Sequence, residues 1–447
     1  MREKRICMIG AGSGFVITVA TELAKSDPLA DYTFVLMDTD AERLRAAEKV
    51  VGKIFREEKS GVELEATTSL EKALDGCRHV VAACEQNRWP FWVKDIEIPE
   101  KHGVYQLMGE NGGPGGIIHA MRNISMFKNI LSNMEEYCPD AWLMNFTNPM
   151  SFLCTYFKNY SNIKALGFCH QVHGSLGVIA EQLGMEPGEL EVISGGVNHL
   201  NWLIDIRRRG TGKSMMDEFR KMVLESKYWR EKAEKIPSQV FTLEVFKTFG
   251  TYPIGYDDHI LEYMPFFYEK EEWERLNFAA TTPQWRKLAE KAGSHSLNIV
   301  AQTLHGRQVE SPPFPKDPNH PYYAEKPCRV IEALETNTPT YLDAINIVNH
   351  GCISNLPEDA IVDIPALVVG GQVRGIHVGE LPLGPMEICR RQITLHEMIA
   401  QATHEGDESL VIQALCLDPY VRSITQARAI WADYKKAYRD YLPTFNK

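Results

Sequence analysis

Nowhere does the sequence run to the roughly 18 consecutive apolar residues of a bilayer-spanning helix, so no membrane span is expected. Residues Met1 to Arg5 followed by Ile6 to Ala20 imitate the charged and apolar parts of a secretory leader. Gly10, Gly12 and Gly14 break the apolar part, however, and no small-residue cleavage pattern follows. Basic charge is scarce: 48 Lys and Arg face 59 Asp and Glu, a net charge of −11, and basic runs such as Arg207-Arg208-Arg209 are short. Without a positive field to attract phosphates, nucleic acid is excluded as a partner. The ten cysteines form no CxxC pair and no regular spacing, which argues against a zinc finger or a disulfide framework and for reduced thiols in the cytoplasm. Repeats and low-complexity linkers are also missing. What remains is a balanced composition, 44% apolar and 24% charged over 447 residues, which suits a compact enzyme of about two domains.

From residue 4 to about 170, short apolar runs alternate with amphipathic stretches. Arg5 to Ile9, Thr33 to Met37, His79 to Ala83, Ala141 to Asn145 and Ala165 to Phe168 read as strands. Between them Leu44, Ala47, Val51, Ile54 and Phe55 recur at helical spacing, and Ser69 caps a short helix ended by Gly76. This is the βαβ pattern of a doubly wound sheet, so residues 1–170 are expected to form a Rossmann domain. Residues 171–447 read as a mixed α+β second domain. In it 191–205 is strand-like, and 213–235, 271–293, 386–403 and 423–441 are helical. The fold class is therefore α/β, with two domains sharing one cleft.

Gly10-Ala-Gly12-Ser13-Gly14-Phe15 follows the first strand and opens a helix, where small residues let the backbone approach a pyrophosphate. The third glycine of the usual GxGxxG is displaced, Phe15 standing in its place. Asp38 ends the second strand, where a carboxylate accepts both ribose hydroxyls and repels a 2′-phosphate, which favours NAD over NADP. Cys169 and His170 lie just past the carboxyl end of a strand, and His199 follows thirty residues later, so a thiolate and an imidazole could close on one divalent ion. Spacing alone leaves open that Cys169 is a buried thiol and His199 a satisfied core histidine.

The order of the Gly10 to Phe15 turn, Asp38, Asn145-Phe-Thr-Asn148-Pro149, Cys169-His170, Asn198-His199-Leu-Asn-Trp202, Tyr252-Pro253, His259 and Glu262-Tyr263 resembles family 4 of the glycoside hydrolases over nearly the whole chain. That resemblance implies a lactate/malate dehydrogenase-like fold and hydrolysis of α-glycosides with NAD and a divalent metal, usually Mn2+. It further implies transient oxidation at C3, removal of the C2 proton, departure of the leaving group from C1, and return of the hydride.

Carried over by residue, Gly10, Gly12, Ser13 and Asp38 would hold NAD, and Cys169 and His199 the metal. Asn148 and Glu110 would contact the sugar, and His170 would stand where relatives protonate the leaving group. The base would be Tyr256, Asp257 or Asp258. Manganese ordinarily prefers oxygen over thiolate, a tension that substrate hydroxyls in the coordination shell would relieve. The stretch Cys169-His-Gln-Val-His173-Gly is similar to the α-galacturonidase branch, with His173 or Arg88 to receive a uronate carboxylate. Alternatives are an α-glucuronidase, a neutral α-glycosidase, a 2-hydroxy acid dehydrogenase and a non-catalytic NAD sensor. A homodimer or homotetramer is the expectation for the assembly.

Overall fold

The computed structural model describes residues 4–106, 108–225, 240–255, 257–265 and 326–445, the side chains of Val240, Asp257 and Asp258 excepted. Strands β1 (Arg5–Ile9), β2 (Thr33–Met37), β3 (Glu63–Thr67), β4 (His79–Ala82), β5 (Trp142–Asn145) and β6 (Lys164–Gly167) run in the order β3-β2-β1-β4-β5-β6, each pair parallel. This is the doubly wound order expected of a Rossmann half. Ile6, Cys7 and Met8 of β1 are fully buried because helices cover both faces, which is why the strand reads as a continuous apolar run. β3, Glu-Leu-Glu-Ala-Thr, carries no such run and is legible only as the sheet's exposed edge.

The remaining strands are β7 (Leu190–Val197), β8 (Leu200–Arg208), β9 (Lys213–Ser214), β10 (Pro253–Ile254), β11 (Thr340–Val348), β12 (Ile361–Val369) and β13 (Gln372–Gly375). They pair antiparallel and extend the same sheet in the order β6-β11-β12-β7-β8-β10. The joins are narrow. One bridge, Gly167 to Asn346, links β6 to β11, and one, Asp363 to Gly196, links β12 to β7. Side-chain amides reinforce the seam: Asn346 Nδ2 donates to the Gly167 carbonyl at 3.4 Å and Asn201 Nδ2 to that of Asp363 at 2.9 Å. No side chain would fit at its glycines. A Cβ on Gly167 would lie 2.6 Å from Met150 Sδ, and one on Gly196 would lie 2.3 Å from the Leu200 carbonyl.

Two readings of the sequence change. The strand-like stretch 191–205 is a hairpin, β7 and β8, reversed at Asn198-His199 with His199 in the left-handed region at φ 62°. No glycine or proline marks that turn. Lys213–Ser214 is a strand, and the helix expected there begins only at Met216 and is described to Glu225. The rest of that stretch and 271–293 lie outside the described residues. Helices Leu383–Glu405 and Ile424–Ala437 confirm the periodicity seen near the C-terminus, the second capped by the Ser423 side chain. No helix among the described residues is long and apolar enough to cross a membrane.

The C-terminal helix fastens helix Arg88–Lys101, which leads into the cleft. Asp95, 1% exposed, takes a bidentate bond from Arg122 at 2.7 and 2.7 Å, and the Tyr438 hydroxyl donates to the same carboxylate at 2.6 Å. Removing one member of a buried ion pair strands the other charge. Asp95→Ala is therefore expected to lower unfolding stability by about 3–5 kcal/mol. Urea denaturation measures this, and a loss under about 1 kcal/mol would mean that Arg122 finds solvent or another partner.

Candidate active site

At the end of β1 the amides of Gly10 and Ala11 donate to the Met37 carbonyl, each at 3.0 Å, which folds the turn back on β2. Gly10 sits at φ 81°, and a Cβ there would lie 2.3 Å from the Ala83 carbonyl; one on Gly12 would lie 2.7 Å from Asp38 Oδ2. Asp38 accepts the Gly12 amide at 2.8 Å and the Asp40 amide at 2.9 Å. Helix Phe15–Ala24 starts without a side-chain cap, and Ser13 Oγ is buried without a hydrogen-bond partner among the described residues. A backbone cradle, an uncapped helix start, an unpaired hydroxyl and a strand-end carboxylate together fit the diphosphate and ribose of a dinucleotide.

Further along the carboxyl ends of the parallel strands, two groups of polar side chains meet, with Glu85, Arg88 and His259 half-buried and the others buried. Glu85, just after β4, and Glu110 flank Arg88. The guanidinium bonds Glu85 at 3.1 Å, makes a short contact to Glu110, and lies 4.3 Å over the Trp92 ring. His119, on the long helix Gly113–Tyr137, bridges Glu85 Oε1 at 2.7 Å and the Glu110 carbonyl at 2.8 Å. One turn on, Asn123 lies 3.0 Å from His119 and donates to the carbonyl of Asn148 at 2.6 Å. Burial alone would raise the Glu110 carboxyl, but Arg88, His259 and His119 outweigh it and bring it down to about 2. Arg88 and His119 likewise hold Glu85 below the usual carboxylate range, so both carboxylates are ionised.

The second group is Glu110, His199, His259 and Glu262, whose ligand atoms all lie within 4.8 Å of one another. The Asn111 side-chain amide is 2.8 Å from His199 Nδ1, and the rings of His199 and His259 stand 4.0 Å apart. Burial, then His259 and His170, hold His199 well below the ordinary histidine range, so the imidazole is neutral, the form that can bind a metal. Oxygen and nitrogen donors of this kind fit a divalent ion of the manganese class.

Of the residues singled out from sequence, Gly10, Gly12, Ser13 and Asp38 form one end of the cleft, and Glu110, His199 and Arg88 converge at the other. Cys169 is half-buried after β6, within electrostatic range of Tyr263, and is not one of the four clustered donors. His170 is exposed at the start of helix Gln171–Leu183. Asn148 is half-buried before Pro149, and His173 Nε2 lies 3.6 Å from Asp343. Asp257 and Asp258 open the short helix Asp257–Leu261, with side chains outside the described residues, where Tyr256 lies entirely. Sequence reasoning missed Glu85, Asn111, His119 and Asn123. The first lies at a strand's carboxyl end, and the last two share a helix face at i, i+4, which are the only local signals.

A doubly wound α/β scaffold with a dinucleotide-type cradle and a second polar centre is the class these features define. Family models match accordingly: the family 4 glycosyl hydrolase over residues 5–185 and its C-terminal domain over 194–421. The chain belongs to family 4 of the glycosyl hydrolases. It is 30% identical to an α-galacturonidase of Lachnoclostridium phytofermentans, covering 99% of this chain and 97% of that one. It is 28% identical to an α-galactosidase of Bacillus subtilis, covering 99% and 100%. In fold it matches a 6-phospho-α-glucosidase from gut microorganisms solved with NAD and Mn2+, at TM-score 0.81 and 18% identity over 99% and 100% of the chains. It also matches malate dehydrogenase of Plasmodium falciparum, at 0.50 and 12% over 89% and 97%.

Beside this site Asp418 is buried and accepts the Tyr420 amide at 3.0 Å. Burial pushes its carboxyl up to about 7 against the pull of that amide and of Arg391. The folded state therefore binds a proton that the unfolded state has already lost, and this group's contribution to stability falls as pH rises from about 4 to about 7. Asp418→Asn is expected to remove that slope, leaving the variant more stable than the parent at pH 8 by roughly 2–4 kcal/mol. Urea titrations at a series of pH values test it, and parallel curves for the two proteins would contradict it.

Proposed function

We infer that this glycosidase hydrolyses α-galacturonides with NAD and a divalent ion, manganese by preference. The observation that carries the reading is the pairing, along one row of strand ends, of the Gly10-to-Asp38 cradle with the buried donors around His199. The α-galacturonidase relative and the Cys169 to Gly174 stretch support the sugar. In this reading residues 1–170 hold the dinucleotide and 171–447 supply the metal and substrate wall and the surfaces of a homodimer or homotetramer, acting in the cytoplasm on a small carbohydrate.

When bound, NAD and the ion would supply oxidation at the sugar's C3 and polarisation of its hydroxyls. Gly10, Gly12, Ser13 and Asp38 would hold the dinucleotide, and Cys169 and His199 the ion; of these two only His199 stands among the four clustered donors. Glu110, ionised beside Arg88, accepts hydrogen bonds from sugar hydroxyls, and Asn148 meets the sugar near the cofactor. His170, exposed at the rim, gives its proton to the leaving group. A base at Tyr256, Asp257 or Asp258 takes the C2 proton. His173 or Arg88 would receive the uronate carboxylate. One observation favours a neutral α-galactoside instead: Arg88 is flanked by Glu85 and Glu110, so its surroundings carry an excess of negative charge.

Aryl α-galacturonide, α-glucuronide and α-galactoside, each assayed with NAD and Mn2+, separate these readings. The galacturonide is expected to lead in kcat/KM by at least about tenfold, a transition-state preference of roughly 1.4 kcal/mol. Dialysis against a chelator should abolish turnover and manganese restore it. Cys169→Ser and His199→Ala should each lose most activity while NAD binds as before. Galactoside cleavage at the higher rate would shift the assignment to the neutral sugar, and net NADH in proportion to substrate consumed would make the chain a dehydrogenase.

The proposed elimination leaves a label. In deuterated water the released sugar should carry deuterium at C2 with its original configuration, because the base removes that proton before water adds at C1. Direct displacement at C1 never breaks the C2–H bond. Proton NMR of early product, with free sugar and enzyme as the exchange control, reads the outcome. A fully protonated C2 after hydrolysis removes the elimination step, and with it the assignment of a base to residues 256–258.

A further inference from the structure

Besides the direct contact of the Asn111 side-chain amide with His199 Nδ1 at 2.8 Å, one dipeptide joins the two walls of the site. Glu262 is 2% exposed, and its Oε2 accepts the backbone amides of Glu110 at 2.7 Å, Asn111 at 2.5 Å and Gly112 at 3.0 Å, while Oε1 lies 2.9 Å from His259 Nδ1. Tyr263, 1% exposed, donates its hydroxyl at 3.1 Å to the carbonyl of Asn198, the residue before His199. The dipeptide's own backbone is tied down in turn. Arg391 donates to the Tyr263 carbonyl at 2.8 Å, and the buried Tyr420 hydroxyl makes a short bond to the carbonyl of Leu261.

Each held segment needs outside support. The loop carrying Glu110 contains Gly109 at φ 59° and Gly113 at φ 67°, and glycines lose more freedom on ordering than any other residue. His199 holds a left-handed conformation that a side chain adopts only when its surroundings enforce it. A carboxylate that accepts three amides is a strong anchor for a backbone loop, because charge-assisted bonds are about twice as strong as neutral ones. With four partners it has little lone-pair capacity left for a cation. Closeness is also enforced: a Cβ on Gly112 would lie 2.6 Å from the Glu262 carbonyl.

We propose that Glu262 and Tyr263 are positioning residues, a clasp that fixes the Glu110 loop against the His199 turn and so sets the affinity of the site for sugar and ion. The consequence for sugar and ion rests on the function proposed above; the clasp itself does not.

The test uses the full chain, Glu262→Gln and Tyr263→Phe, followed by amide hydrogen exchange, manganese titration, NAD titration and steady-state kinetics. Glu262→Gln should speed exchange at the amides of 110–112 and cost on the order of 10–100-fold in kcat/KM, the usual effect of losing such a supporting partner. Tyr263→Phe should leave those amides protected and instead weaken manganese about tenfold, with NAD affinity unchanged in both variants. Protection at 110–112 that survives Glu262→Gln overturns the clasp, as does loss of manganese binding in that variant with those amides still protected, which would make Glu262 a ligand. If Glu262→Gln does not fold, Glu262→Asp, which keeps the charge on a shorter arm, replaces it: faster exchange at 110–112 in the folded variant supports the clasp, and unchanged exchange overturns it. A parent chain that binds no manganese, yet loses protection at 110–112 on Glu262→Gln, supports the clasp and removes the metal-dependent reading instead.

Discussion

The parallel and antiparallel halves of the sheet meet in one row of residues, Gly167, Asn346, Asp363, Gly196 and Asn201, and the site depends on that row. The backbone ladder contributes only single bridges there, so the side-chain amides of Asn346 and Asn201 carry part of the join. Antiparallel neighbours directly opposite share a face, and a glycine at each narrow crossing lets the strands approach. The row starts at the last residue of β6 and ends two residues past His199. It therefore brings the β7–β8 turn to the carboxyl ends of the parallel strands, where a doubly wound sheet places its ligands.

Once the halves are joined, charge governs the arrangement of the site. Arg88 is the foremost cation keeping Glu85 and Glu110 ionised, and its guanidinium also lies over the Trp92 ring. His119 and Asn123 carry this order on to the backbone of Asn148, so the glycine-rich loop, the long helix and the β5–β6 connection are held as one unit. A uronate must compete for Arg88 with these two acids, whereas a neutral sugar need only offer hydroxyl donors. That difference makes the substrate question one of electrostatics more than of shape.

How much of this the sequence revealed follows from how local each feature is. β1, β2, β4 and β5 were legible because burial on both faces writes an apolar run, and β6 from the short run Ala165 to Phe168 that overlaps its buried end. β3 was not, because an edge strand needs none, and the β7–β8 turn was not, because Asn198-His199 carries no glycine to mark it. Gly10, Gly12 and Asp38 could be read since a turn and the end of the next strand suffice to define the cradle. Glu110 was assigned to the sugar only through the family resemblance, and its partners lie far along the chain: Glu262 contacts its amide across 152 positions, and Asn111 meets His199 across 88. No periodicity encodes such pairs. Tertiary packing makes them, and the family motif named Glu262-Tyr263 without indicating that these side chains grip opposite walls.

Burial treats the acids of this protein in two ways, and the division separates the site from its supports. Asp363 in the seam and Asp418 beneath the Tyr420 turn are buried with too little compensating charge, and desolvation lifts them to about 6 and about 7. Near neutrality they are partly protonated and act chiefly as polar filling. Glu110 is buried and Glu85 half-buried, yet Arg88 and His119, joined at Glu110 by His259, more than offset their desolvation, and both fall below the usual carboxylate range. Of these four acids, the two that stay charged are the two with a cation placed to keep them so. The fixed negative charge thus sits on the wall that faces His199, where a cation or a sugar hydroxyl would find it, and not in the seam that holds the halves together.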